Sequence, residues 1–473
     1  MLKLYNTLTR QIEDFQPIKF PNVRIYACGP TVYDYLHIGN MRRYVGDDIL
    51  VRVLNYDGYK VKYVINITDV GHLTSDADTG EDKMEKGAKK FKMSVWDIAK
   101  KFEKAFFKDW EALNLVEPSE VMHATDYIKD QIELIEILEE KGFIYKIADG
   151  IYFDTSKFSD YAELSKQKIQ ELKAGARIKV VKGKKNPSDF ALWKFSYPKG
   201  RSFDSAKDDP ISKRQMEWES PWGIGFPGWH IECSAMSMKA LGVNFDIHTG
   251  GIDHISVHHT NEIAQSEAAS GKKFVNYWVH HGFLFIEEEK MSKSLGNFYR
   301  VSNIADKGYD PLSLRYLYLQ THYRQEMNFT LKALGAAHTA LNRLRDDIAG
   351  LGQPAERSCE EFDVKFFDAV NDDLNMPKAL ATVWEMMKSN NSDSKKAASI
   401  LNYEKILGLK LDKSKEIRGK KLEIPEEVMR MAKERQKLRK QRRFLLADQL
   451  RNKIKKMGYD LEDSKDGVIV RPI

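Results

Sequence analysis

At 473 residues the chain is long enough for more than one domain, and with 42% hydrophobic and 30% charged residues it can bury a core and stay soluble. No stretch of eighteen or more apolar residues is present, which excludes a bilayer-spanning helix, and three cysteines are too few for a disulfide framework. The formal net charge of +6, with Lys and Arg bunched locally, favours an anionic partner over a membrane surface. Because the first residues lack a secretory apolar core, we expect free thiols and a cytoplasmic location.

Residues 23–68 predict a strand, a loop, a helix and a second strand. Apolar residues alternate over 23–27, recur at helical spacing over 40–56 and alternate again over 61–67. A ligand of an open α/β sheet binds beyond the carboxyl ends of the strands, and a phosphate is stabilised by a helix N-terminus. The loop that would lie there carries Cys28, Thr31, His37, Gly39 and Asn40.

Residues 83–220 contain four segments with different sequence patterns. A basic stretch at 83–92 is typical of a solvated helix face. Residues 128–140 have the spacing of a helix, and 150–153 form a short apolar run typical of a strand. Residues 195–220 are polar and contain Gly and Pro, which predicts a mobile surface loop.

The last part of the chain is predicted to be mainly helical. Leu312, Tyr316 and Leu319 share one face of a helix, and the Lys-rich residues 410–424 are a predicted linker. From Pro425 the chain is strongly basic. Leu438, Phe444, Leu445 and Leu450 are predicted to form an apolar side, surrounded by Arg439, Arg442, Arg443, Lys453, Lys455 and Lys456.

Five motifs, in order along the chain, carry a family resemblance. His37-Ile38-Gly39-Asn40 resembles the HIGH signature of class I aminoacyl-tRNA synthetases, and residues 290–294 repeat their KMSKS loop letter for letter. The motifs at 28–34 (CGPTVYD), 228–236 (GWHIECSAM) and 258–265 (HHTNEIAQ) resemble the cysteinyl-tRNA synthetases in particular. The chain departs from the first signature at Asn40, where the usual residue is His. An Asn can still donate a hydrogen bond to a phosphate or ribose oxygen, but it cannot do so as a cation.

The resemblance implies a fold and a domain order. We expect an α/β protein whose Rossmann-like parallel sheet is split by an insertion and followed by an α-helical bundle and a small basic tail domain. The expected boundaries are 1–109 and 195–308 for the two halves of the catalytic domain, 110–194 for the insertion, 309–409 for the bundle and 425–473 for the tail.

Four residues form a candidate metal site. His258 and Glu262 are four residues apart, so on a helix they share a face, and with Cys28 and Cys233 they would make a tetrahedral zinc set. Spacing leaves two alternatives open: His259 could replace His258, and both cysteines could simply be buried structural residues. The resemblance implies one zinc ion per chain with His258 as the ligand, and His259 beside the ligands or the substrate.

A bound zinc ion would allow the enzyme to distinguish cysteine from serine. Cysteine and serine differ by one atom, and small differences in side-chain size give only about 1–3 kcal/mol of discrimination. A zinc ion binds a thiolate strongly and a hydroxyl poorly, so it would select the amino acid by chemistry without an editing domain.

The resemblance also implies the rest of the active site. Gly29, Thr31, Thr68, Trp229 and Asp253 would bind cysteine, with Asp253 opposite its ammonium group; Trp229 as a core residue and Asp253 as a turn residue are the alternatives. ATP, accompanied by Mg²⁺, would be bound by His37, Gly39, Asn40, Lys290, Met291, Ser292, Lys293 and Ser294. His37, Asn40, Lys290 and Lys293 would stabilise the charge that develops at the α-phosphate.

The expected activity is therefore ATP-dependent ligation of L-cysteine to tRNA(Cys) by a monomer in the cytoplasm. The basic residues at 83–92 could contact the acceptor arm, and the basic tail, which alone would suggest a solvated helix, becomes a predicted anticodon-binding segment. Two rivals remain: a relative that couples cysteine to an amino sugar, which would not need this tail, and a catalytically silent tRNA-binding paralogue, which the intact His37, Lys290 and Lys293 disfavour.

Overall fold

The computed structural model describes residues 1–71, 82–166, 181–197, 214–287, 289–290, 298–419, 425–464 and 467–472. The strands are β1 Lys3–Asn6, β2 Gln11–Asp14, β3 Asn22–Ala27, β4 Lys60–Ile67, β5 Glu120–His123, β6 Ile144–Ile147, β7 Gly150–Phe153, β8 Phe190–Phe195, β9 Gly225–Pro227, β10 Phe245–Gly251, β11 Val275–His281, β12 Leu284–Ile286, β13 Glu289–Lys290, β14 Met327–Phe329, β15 Tyr459–Ser464 and β16 Gly467–Pro472.

The helices are α1 Ile38–Tyr56, α2 Lys83–Phe91, α3 Val95–Ala112, α4 Ile128–Glu140, α5 Trp229–Leu241, α6 His258–Ser270, α7 Val301–Asp306, α8 Pro311–Leu319, α9 Leu331–Ala349, α10 Glu360–Asn371, α11 Met376–Lys388, α12 Asp393–Leu407, α13 Ser414–Gly419, α14 Glu426–Lys440 and α15 Phe444–Lys456. None of the helices in the described ranges is both long and apolar enough to cross a membrane.

A five-stranded sheet, β11-β10-β3-β4-β5, is the centre of the fold, and every neighbouring pair in it is parallel. The predicted strand–loop–helix–strand unit is confirmed as β3, α1 and β4. The two faces of the parallel sheet are covered by separate apolar clusters. One cluster includes Val45 of α1, and the other includes Ile231 of α5. Burial on both faces explains the nearly continuous apolar runs of the central strands.

Between the two parts of the parallel sheet the chain forms a second, antiparallel sheet, β6-β7-β8-β9. The helix predicted over 128–140 and the strand predicted over 150–153 are both found, as α4 and β7. Strand β5 lies in the parallel sheet although it follows residue 109. Most of the predicted polar loop at 195–220 lies outside the described residues.

The helical region that begins with α8 packs into the first apolar cluster, to which Leu312, Tyr316 and Leu319 all contribute. Residues 425–472 have an apolar cluster of their own, formed by Val428, Met431, Ala432, Ile454, Leu461 and Val470.

The predicted apolar side of the tail is wrong in part. Phe444 and Leu445 are 55% and 83% exposed. Helix α15 begins at Phe444, after a left-handed residue at Arg442 (φ 58°), and turns Ala447 and Ile454 towards the core instead. Those two residues are seven apart and share a face, whereas the adjacent residues Phe444 and Leu445 lie about 100° apart around the helix.

Candidate metal centre and active site

The candidate site lies at the carboxyl edge of the parallel sheet. Strand β3 pairs with β4 on one side and with β10 on the other, with Ile25 level with both Tyr63 and Ile247. The connections from β3 and β10 therefore leave the sheet in opposite directions and open a crevice between them, which is where α/β proteins bind ligands.

Cys28, Cys233, His258 and Glu262 meet in this crevice. Their ligand atoms all lie within 4.8 Å of one another. Nε2 of His258 is 3.0 Å from Oε1 of Glu262, which is 4.0 Å from Sγ of Cys28. All four side chains are buried, none being more than 3% exposed. The structure thus brings Cys28 to three residues that lie more than 200 positions further along the chain.

Local structure explains how each donor reaches the site. Cys28 is the first residue beyond β3, Cys233 lies in the second turn of α5, and His258 and Glu262 are one turn apart on α6. Gly250 makes room for α6, because a Cβ atom there would lie 2.5 Å from the ring of His259.

Further imidazoles surround these donors. Nδ1 of His258 is 2.9 Å from Nδ1 of His230, and Nε2 of His248 is 3.1 Å from Oε2 of Glu262. His259, which spacing could not distinguish from His258, also reaches the site, with Nε2 3.4 Å from Sγ of Cys28. Each ring is therefore held by a hydrogen bond that fixes which nitrogen faces the donors.

The two cysteines differ in acidity. Burial alone would raise the pKa of Cys28, but a hydrogen bond from Cys233 and the nearby imidazoles of His259, His258 and His248 hold it well below its usual range. The hydrogen bond to Cys28, burial and the neighbouring negative charge raise the pKa of Cys233 well above its usual range. Cys28 is therefore the more readily deprotonated thiol of the pair.

The donor set fits a zinc ion. Two sulfur atoms, one imidazole nitrogen and one carboxylate oxygen are a recognised combination of ligands for tetrahedral zinc, and zinc binds thiolates and neutral imidazoles. A cation held by these donors would stabilise a buried thiolate and a buried carboxylate. The group can therefore hold a divalent cation.

A cavity of about 410 Å³ opens at the loop that follows Cys28. Its lining includes Gly29, Thr31, His37, Asn40, Trp229 and Asp253. Six of the residues predicted to bind cysteine or ATP thus line one cavity. Gly29 is needed there because a Cβ atom would lie 1.3 Å from the carbonyl oxygen of Asn66.

The predicted pocket residues differ in their surroundings. The ring of Trp229 packs 4.5 Å from that of His258, and Nζ of Lys83 lies 5.2 Å from its centre, so a cation already occupies a face of this ring. Asp253 is exposed at the end of β10. Thr68 is buried beneath the loop, where its backbone N–H donates to Pro30 and its hydroxyl accepts from Asn66.

His37 and Asn40 cap helix α1 reciprocally. The backbone N–H of Asn40 donates to Nδ1 of His37, and the N–H of His37 donates to Oδ1 of Asn40, both at 3.1 Å. This arrangement is a capping box, and it leaves the neutral imidazole with its proton on Nε2. Gly39 allows it, since a Cβ atom there would lie 3.0 Å from the His37 ring.

The KMSKS motif is only partly described. The backbone of Lys290 pairs with Phe285 in the β12–β13 hairpin. Met291, Ser292, Lys293 and Ser294 lie outside the described residues.

Sequence reasoning missed three residues near the donors. Arg43 donates to the backbone carbonyl of Cys28 and holds that loop. Glu232 is fully buried beside Thr68, and burial together with Asp69 raises its pKa well above the usual range. His248 bonds to Glu262. No chain pattern indicates His248, because its strand also contains the polar residues Asp246 and Thr249.

Two models of known protein families match most of the chain. Residues 14–339 match the family described as tRNA synthetases class I (C) catalytic domain, and residues 365–411 match the DALR domain.

Full-length relatives and solved structures agree with this match. The chain is 47% identical to Cysteine--tRNA ligase 1 of Burkholderia lata, covering 98% of this chain and 96% of the relative, and 44% identical to Cysteine--tRNA ligase of Treponema denticola, covering 98% of each. The fold resembles that of Mycobacterium tuberculosis methionyl-tRNA synthetase in complex with methionyl-adenylate, with a TM-score of 0.56, 15% identity and coverage of 84% of this chain and 91% of that one.

Proposed function

Because this chain belongs to the cysteine–tRNA ligase family of class I tRNA synthetases, we propose that it activates L-cysteine with ATP and transfers the cysteinyl group to the 3′ end of tRNA(Cys), with zinc selecting the substrate. The observation that carries the zinc proposal is the meeting of Cys28, Cys233, His258 and Glu262 at the edge of the sheet. We also propose that the enzyme works in the cytoplasm, where tRNA, cysteine and ATP meet.

Selection between cysteine and serine is the central chemical task. Zinc bound by the four donors would supply a strong preference for a thiolate over a hydroxyl. The protein keeps this position dry, because the donors are almost fully buried. The cavity beside them, with Trp229 and Asp253 in its lining, would receive the backbone end of cysteine, and Asp253 would pair with its ammonium group.

Adenylate formation requires the cysteine carboxylate to attack the α-phosphate of ATP, with pyrophosphate leaving. In this proposal His37 donates from Nε2 to a phosphate oxygen, since Nδ1 is already an acceptor. Lys290 and Lys293 approach from the other side and, with Mg²⁺ on ATP, offset the charge that develops in the transition state.

The proposal is tested by cysteine-dependent and serine-dependent ATP–pyrophosphate exchange, run with native protein and with protein stripped of metal by a chelator. We expect cysteine to exceed serine by more than about 1,000-fold, beyond the roughly 10–200-fold that a difference in size can give, and exchange to fall on stripping and return with zinc. The variant Cys359→Ser, which changes a buried cysteine in the helical region, is the matched control and should keep both metal and selectivity. Full activity without metal, or equal exchange with serine, would contradict the proposal.

A further inference from the structure

A second group of potential metal ligands overlaps the first. Cys28, His248, His259 and Glu262 also have ligand atoms within 4.8 Å of one another, and all four are buried. The two groups share Cys28 and Glu262. They differ in that the second group offers two imidazoles where the first offers Cys233 and His258.

Glu262 faces both groups at once. Its Oε1 lies 3.0 Å from Nε2 of His258 and 3.9 Å from Nε2 of His259, and its Oε2 lies 3.1 Å from Nε2 of His248. In this rotamer the carboxylate therefore lies close to imidazoles of both groups. Cys28 is shared in a similar way, with Sγ 3.4 Å from Nε2 of His259.

The two additional imidazoles are oriented as metal ligands usually are. His259 points Nε2 at the site, and its Nδ1 lies 2.8 Å from Nε2 of His280, whose Nδ1 lies 2.8 Å from the hydroxyl of Thr7. His248 also points Nε2 at the site, and its Nδ1 lies 3.3 Å from the carbonyl of Thr249. Histidines that bind metals typically have their other nitrogen held in this way.

Packing holds both rings in place. The His248 and His259 rings are 4.5 Å apart, and His248 stacks on Trp278 at 4.7 Å with an interplanar angle of 18°. Neither imidazole has to move to bring Nε2 to the site.

We propose that the site has a second metal position, formed by Cys28, His248, His259 and Glu262. It takes a divalent cation of borderline softness, such as Zn²⁺ or Co²⁺, because one thiolate, two imidazoles and a carboxylate suit such ions. Since the two positions share two ligands, they hold one ion between them. Occupation of the second position releases Cys233 and His258, so the ion can change ligands without leaving the protein. The inference rests on the proposed function in that the first position must also bind metal.

The experiment compares variants that remove a ligand of the first position alone with a variant that removes a ligand shared by both positions. Co²⁺ is titrated into metal-free full-length protein, and bound cobalt and its thiolate charge-transfer absorption are measured. Cys233→Ser should still bind about one ion per chain, as expected of an intact four-ligand site, with weaker thiolate absorption than the wild type. His258→Ala should also bind one ion, while Cys28→Ser should bind none. Cys359→Ser is the matched control for loss of a buried thiol.

A double variant completes the test. Cys233→Ser/His248→Ala removes one ligand from each position and should lose the ion that Cys233→Ser alone retains. Circular dichroism verifies that each variant folds. If Cys233→Ser does not fold, the cobalt binding of His258→Ala decides the test. The inference is overturned if Cys233→Ser and His258→Ala lose cobalt as completely as Cys28→Ser, while the wild type binds it; the proposed function then stands. A wild type that binds no metal would overturn both.

Discussion

Cys28, Cys233 and Cys359 are all buried, yet their neighbours give the three thiols different chemistry. A hydrogen bond from Cys233 and nearby imidazoles hold the pKa of Cys28 low, the hydrogen bond to Cys28 and burial raise that of Cys233, and burial raises that of Cys359. His258 is also protonated without metal: burial alone would lower its pKa, but Glu262 and Cys28 raise it to about 10. A metal entering the first site must therefore displace protons from Cys233 and His258.

Zinc affinity should consequently increase with pH. Both groups carry protons at neutral pH, because the pH lies below their raised pKa values. Zinc binding therefore releases up to about two protons, and the logarithm of the zinc affinity rises by up to about two per pH unit. Competition with a chromophoric chelator at several pH values measures this slope. Cys233→Ser removes one of the two protons and should reduce the slope, whereas a slope of zero in the wild type would contradict the assignment.

Asn40 fills the position where the family signature usually has His, and here its side chain closes the N-terminus of α1. Asn40→Ala loses the acceptor for the His37 N–H and should destabilise the protein by about 1 kcal/mol, as other capping losses do. Asn40→Asp keeps that acceptor and suits the helix dipole, so the melting temperature should hold, but its negative charge should repel ATP and lower exchange. Melting and ATP–pyrophosphate exchange of both variants test this; equal exchange for Asn40→Asp and wild type would count against phosphate contact at this helix end.

At the scale of elements, α3 carries a carboxyl group in an unfavourable setting. Burial raises the pKa of Asp109 from 3.8 to about 6, although Arg300 and Lys108 act in the opposite direction. The folded chain therefore binds this proton more tightly than the unfolded chain does. By linkage, stability falls as pH rises from about 4 to about 6, and the loss stays constant above that.

Asp109→Asn should remove this penalty. We expect the variant to be more stable than the wild type by up to about 3 kcal/mol at pH 7.5 and to gain little at pH 4, since a shift of one pKa unit corresponds to about 1.4 kcal/mol. Thermal melts of both proteins across this pH range measure the difference. A gain that does not depend on pH would show that titration of Asp109 is not the cause.

Elements with local patterns could be predicted from the sequence, and the contacts between them could not. The helix α4 and the strand β7 follow from periodicity within a few residues. The spacing of His258 and Glu262 predicted a shared helix face, but only the pairing of β3 with β10 brings Cys28 to it. His248 was missed for the same reason, because its bond to Glu262 joins a strand to a helix.

At the scale of the whole molecule, Arg315 links the helical region to helix α1 and to the end of helix α3, which pack beside the sheet. Its guanidinium is fully buried, binds Asp48 of α1 and donates to the carbonyls of Leu407 at the end of α12 and Leu113 after α3. Arg52 binds the same carboxylate at 2.8 Å but is partly exposed.

Arg315→Met should destabilise the protein by about 3–5 kcal/mol because it leaves Asp48 buried with weaker compensation. Arg52→Met is the matched control and should cost about 1 kcal/mol, as more exposed pairs do. The double variant Asp48→Asn/Arg315→Met should recover part of the loss, since the buried charge is then removed. Denaturant unfolding measures all three; equal losses for Arg315→Met and Arg52→Met would refute the special role of the buried arginine.

The tail from Pro425 has its own apolar core, and it exposes arginines beside Phe444 and Leu445. Cationic groups bind phosphates and exposed aromatic rings stack on unpaired bases, so we propose that this surface binds tRNA.

Deletion of residues 425–473 should leave cysteine-dependent ATP–pyrophosphate exchange nearly unchanged, because the candidate active site lies in the sheet. Aminoacylation of tRNA should fall by more than about tenfold, and the remaining activity should depend less on salt, since fewer phosphate contacts are made. The full-length variant Arg442→Gln/Arg443→Gln, which keeps the apolar core, should show the same selective loss to a smaller degree. Equal losses in both assays would instead mean that the tail stabilises the catalytic domain.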